Sequence, residues 1–172
     1  MEFIFFQEGI TASIIPILTL IEYKPESIVG CILMGENRPK ELPPNWFIYA
    51  ESSENPASSL LREAEQGEEL GLLDVFLIVK EPDSLLQITV LVAIGCCNIN
   101  CSGEGGRGGR TILSLLAKHN IRTSPAEVIR PVYKYRNVDK LHQEAKKIFF
   151  KAFNKICRYW LPEAWEVEPF IY

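Results

Sequence analysis

Apolar and polar positions fall into blocks along the chain, and the blocks predict its elements. Residues 3–6 form a short apolar run, closed by Gly9. Residues 14–23 are rich in β-branched and apolar side chains and read as a second strand. Pro16 places that strand near an edge or bulge, because proline has no N–H for the ladder. Lys24-Pro25-Glu26-Ser27 is a turn, and residues 28–34 are a third apolar run. Residues 35–45 contain Pro39, Pro43 and Pro44 and read as a loop, followed by a strand over residues 46–49. Asn55-Pro56 has the form of a helix start, since Asn caps and proline is tolerated at the first helical position. Leu60, Leu61 and Ala64 would then face inward, Glu63, Glu65, Glu68 and Glu69 outward, and Gly71 would end the helix.

Residues 72–79 and 85–94 are the strongest strand candidates, joined through Glu81-Pro82-Asp83-Ser84 as a hairpin. A short helix over 111–120 and a strand over 128–135, at an edge because of Pro131, follow. The clearest helix covers 138–160: Val138, Leu141, Ala145, Ile148, Phe149, Ala152, Ile156 and Tyr159 recur at three- and four-residue spacing, and Pro162 stops it. Strands cluster early and helices late. This pattern predicts one α+β domain over residues 1–172, with a mixed or mostly antiparallel sheet and a long C-terminal amphipathic helix.

Composition narrows the class. The chain has 172 residues, 47% hydrophobic and 23% charged, which is ordinary for a globular domain. No run reaches the roughly 18 apolar residues of a membrane span. Glu2 and Glu8, without a basic region, do not make a secretory signal. Five cysteines then suggest free thiols in a reducing, cytoplasmic compartment.

Charge is distributed unevenly. The net charge is −4, yet residues 1–104 hold 5 Lys/Arg against 16 Asp/Glu, and residues 105–160 hold 13 against 3. Residues 161–172 add three more glutamates in an aromatic tail. An acidic, strand-rich half thus precedes a basic, helix-rich one, which suggests a polyanionic partner for the latter.

Between the halves lies the stretch 94–116. Six of the eleven glycines fall between Gly95 and Gly109, after an apolar run and before a helical pattern. A strand, a glycine-rich loop and a helix start form a common anion-binding arrangement. Three functional readings follow. In the leading one, Arg107 and Arg110 approach a phosphate backbone closely because glycine removes obstruction. The basic set continues through Lys118, Arg122, Arg130, Lys134 and Arg136, with Tyr133 and Tyr135 interleaved for base stacking, and then through Lys140, Lys146, Lys147, Lys151, Lys155 and Arg158. The protein would bind RNA or single-stranded DNA as an accessory subunit of a nucleoprotein assembly.

In the second reading, Cys101-Ser-Gly-Glu-Gly-Gly-Arg107 resembles the signature loop of protein tyrosine and dual-specificity phosphatases. That resemblance implies Cys101 as nucleophile, Arg107 as phosphate ligand and Asp83 as general acid. Gly103-x4-Gly108-Gly109-Arg110-Thr111 is likewise similar to a nucleotide-binding P-loop. The third reading is a non-catalytic adaptor that meets a protein partner through its acidic half and its aromatic C-terminus, around Trp160, Trp165, Phe170 and Tyr172. Cys96, Cys97 and Cys101 lack a second ligand pair, so neither a metal nor a cofactor is expected. His119 at a helix end is accounted for by the helix dipole.

Overall fold

The computed structural model describes residues 1–6, 10–37, 55–65, 72–81, 87–98, 103–129 and 143–157. In chain order the elements are β1 (Glu2–Phe6), α1 (Ile10–Tyr23), a 3-10 turn (Pro25–Ser27), β2 (Ile28–Asn37), α2 (Pro56–Glu65), β3 (Leu72–Lys80), β4 (Ile88–Asn98), α3 (Glu104–Lys118), β5 (Thr123–Ile129) and α4 (Gln143–Cys157). They build an α+β fold around one mixed sheet of order β1-β4-β3-β2-β5. β2–β3 and β3–β4 are antiparallel, whereas β1–β4 and β2–β5 are parallel. The hairpin expected from the two strongest strand signals is therefore present as β3–β4. β5 lies at an edge and carries a proline, Pro125.

Period-two alternation sends side chains of each strand to opposite faces. Cys31, Leu33, Leu73, Val75, Leu77 and Ala93 join α1, α2 and α3 in one core. Val29, Ile32, Met34, Phe76, Ile78, Val90 and Val92 join α4 in the other. The helices α1 and α3 each connect parallel strands across two intervening ones, over the same face, so they lie side by side.

Four sequence expectations are corrected. Residues 14–23 are not a strand but most of α1. Ile14, Ile17 and Ile21 are buried at helical spacing, and the solvent side carries Ala12, Ile15, Thr19 and Tyr23 without a charge to mark it. Pro16 lies inside this helix, where its missing N–H leaves only the carbonyl of the exposed Ala12 without a helical donor. Second, the glycine-rich stretch is largely helical, because α3 begins at Glu104 rather than at Thr111. Third, the last strand starts at Thr123 rather than at residue 128. Fourth, the long C-terminal helix is not found: α4 has 15 residues, and its buried stripe runs from Phe149 to Ile156. The expected strand 46–49, the helix end at Gly71 and the tail 161–172 lie outside the described residues.

The helix start at Asn55-Pro56 is present and bonded. Asn55 Oδ1 accepts the Ala57 N–H at 3.0 Å, and Asn55 Nδ2 donates to the Ile121 carbonyl at 2.9 Å. An Asn cap contributes about 1 kcal/mol, and here it also ties α2 to the entrance of β5. α3 ends on a Schellman closure: Asn120, at φ 50°, donates to Ala117 O at 3.0 Å and Ile121 to Leu116 O at 2.9 Å. The buried Ile121 completes it.

Candidate nucleic-acid interface

α3 is helical in spite of its glycines because of what lies on them. Each glycine inside a helix costs up to about 1 kcal/mol relative to alanine, so local propensity alone opposes this element. Gly105, Gly106 and Gly109 are buried together with Ile112, Leu113 and Leu116. A Cβ on Gly108 would clash with Ile14 Cδ1. The run is thus a contact surface that lets α1 approach α3 closely. Tertiary packing offsets the propensity cost.

The same geometry limits α3 as an anion cradle. Its cap residue, Gly103, is extended and offers no side-chain bond. The Arg107 N–H already donates to Gly103 O at 3.2 Å, and the Arg107 carbonyl accepts from Thr111 Oγ1 at 2.8 Å. Glu104 places a carboxylate in the first turn, where it complements the positive end of the helix dipole itself. The Arg107 side chain is exposed, and Arg110 is half-buried and engaged in an interaction of its own.

Two other basic residues serve the fold. Lys118 Nζ donates to both oxygens of Glu22, at 2.9 and 3.2 Å, joining the C-terminal ends of α1 and α3. That hydrogen bond holds the Glu22 carboxyl below its usual range. His119 Nε2 stands 3.6 Å from Glu22 Oε2, the farther of the two oxygens from Lys118. Arg122 Nη1 reaches the Ile156 carbonyl at 3.4 Å, so it meets the C-terminal end of α4. Basic side chains at helix C-termini complement the dipole there.

α4 is different. Phe149, Ala152, Phe153 and Ile156 form its buried stripe, with Phe149 edge-on to Phe3 at 5.1 Å and stacked with Phe153 at 5.9 Å between centroids. Opposite that stripe Lys146, Lys147, Lys151 and Lys155 are all exposed, along with Asn154, and Lys147 also has an interaction of its own. No acidic residue occurs between 146 and 156. Lys147, Lys151 and Lys155 are four residues apart and form one line about 12 Å long. Phe150 is also exposed, at 41%, and packs edge-on to Phe149. Sequence reasoning missed it as a candidate, although it falls off the three- and four-residue stripe that carries its neighbours.

The basic set is therefore divided. Arg107 and Arg110 stand on α3, over one face of the sheet, whereas the α4 lysines stand over the other. Cys101, Asp83, Arg130, Lys134 and Arg136 lie outside the described residues, as do Tyr133, Tyr135 and the aromatic tail. Among the described residues no cluster of His, Cys, Asp and Glu could hold a metal, and Cys31 is buried and forms no disulfide. No described helix is long and apolar enough to cross a membrane. No protein-family model, curated protein or solved structure matches the chain.

Proposed function

We propose that the protein binds single-stranded nucleic acid, RNA or DNA, as a non-catalytic component of a nucleoprotein assembly, and that α4 is its contact element. The supporting observation is the outer surface of that helix: Lys146, Lys147, Lys151 and Lys155 are exposed together, with no acid between them. Lysine is a compact point charge on a flexible stem, suited to phosphates whose spacing varies along an unpaired strand. Phe150 adds an exposed ring in the same segment, and rings of this kind stack on bases without sequence preference. Arg107 and Arg110 belong to a separate surface in this reading and add little to the same contact.

The test is a titration of a labelled homopolymeric strand at several salt concentrations. Phosphate contacts release counterions, so log K falls linearly with log salt, with a slope of about −0.7 per contact on single strands. Four lysines predict a slope near −3 by that rule. Binding that is absent, or insensitive to salt, rules the proposal out.

A further inference from the structure

β1 is an edge strand among the described strands, and its own sequence carries no guard. It pairs only with β4 among the described strands, so every second residue of Glu2–Phe6 turns its N–H and C=O outward. Natural edges are commonly guarded by lysine, proline or a bulge. β1 reads Glu-Phe-Ile-Phe-Phe, has none of the three, and pairs with Thr89–Ala93 in unbroken register. Ile4 is 39% exposed and Met1 52%, two of the five large hydrophobic side chains that are exposed among the described residues.

We infer that β1 pairs antiparallel with β1 of a second copy, giving one continuous ten-stranded sheet. The strand is complementary to itself. An antiparallel pair centred on Ile4 sets Ile4 against Ile4 of the partner subunit, Phe3 against the partner's Phe5, and Glu2 against the partner's Phe6. Apolar meets apolar at the centre, aromatic pairs flank it, and the two Glu2 carboxylates stay apart. Phe3 and Phe5 are already joined to the α4-side core, Phe3 through Phe149, so the pairing would extend an existing apolar layer. The surface is the same on both partners, so one twofold contact closes the assembly.

The twofold axis of such a pair is perpendicular to the sheet. Directly opposed residues point to the same side, and both copies of α4 therefore lie over the same face. The dimer would present two lysine faces to one polymer, whereas α1 and α3 of both copies occupy the opposite side. The pairing itself rests on β1 alone and stands or falls independently of nucleic-acid binding.

The experiment is sedimentation velocity of the full chain over about 1–100 μM, with the variants Ile4→Lys and Ile4→Glu. The wild type should show a concentration-dependent dimer. Each variant alone should be monomeric, with dimer affinity at least 100-fold weaker, because like charges meet at position 4. Their equimolar mixture should regain the dimer, since there the lysine faces the glutamate. A monomeric wild type, a variant that dimerises as tightly as the wild type, or a mixture that stays monomeric would each overturn the inference. Unchanged far-ultraviolet circular dichroism in both variants separates lost pairing from lost folding.

Discussion

Replacing Lys147, Lys151 and Lys155 together by glutamate lowers affinity for a single strand by roughly 10²–10³-fold near 50 mM salt. The magnitude comes from counterion release alone: three contacts at about 0.7 ions each carry that much at low salt. The salt slope should become shallower by about 2, because three phosphate contacts are gone. Stability should change little, since all three side chains are exposed and none lies in the buried stripe of Phe149, Ala152, Phe153 and Ile156. The paired change Arg107→Ala with Arg110→Ala should leave both affinity and slope near wild type. Fluorescence anisotropy on the same strand reads all of these outcomes.

Gly30→Ala should destabilise the fold by about 3 kcal/mol, lowering the melting temperature by roughly 6–12 °C. A Cβ there would stand 2.6 Å from Ile156 Cγ2 and 2.9 Å from the carbonyl oxygen of Arg122. The side chain of Ile156 can shift only into the core that it helps to fill. The carbonyl is held, because it accepts the Cys31 N–H at 2.8 Å. Gly30 therefore lies at the joint of β2, β5 and the C-terminal end of α4, where Arg122 Nη1 also meets Ile156 O. Urea unfolding of the variant should show a lower midpoint, and a control at the unhindered Gly103, which has nothing within 4 Å, should show almost none of this loss.

Most of the sheet was legible in the residues themselves. β1, β2 and the β3–β4 hairpin follow from runs of β-branched and aromatic residues, and α2 follows from Asn55-Pro56. α1 was not legible, because its solvent side is Ala12, Ile15, Thr19 and Tyr23. Without charges on that side, the helical period of Ile14, Ile17 and Ile21 has no polar counterpart. α3 was misread for a different reason. Its glycines point to a loop by propensity, and helix prevails because Gly105, Gly106 and Gly109 are buried and Ile14 lies against Gly108.

The candidate site divides in the same way. The charge count located the basic half, and the lysines of α4 are exposed. Chain position could not tell which bases share a surface. That depends on α3 crossing over one face of the sheet and α4 packing on the other. Nor could it tell that Lys118 pairs with Glu22, or that Arg122 reaches the end of α4. Both are long-range contacts set by the sheet order.

Ultraviolet cross-linking of a halogenated polyuridine strand to the protein, followed by mass mapping of the adducts, locates the contact surface. With α4 as the contact element, adducts fall within residues 146–155, centred on Phe150, and are lost as salt is raised. Adducts confined to residues 104–118 of α3, or none under conditions where the strand is bound, would contradict a contact on α4.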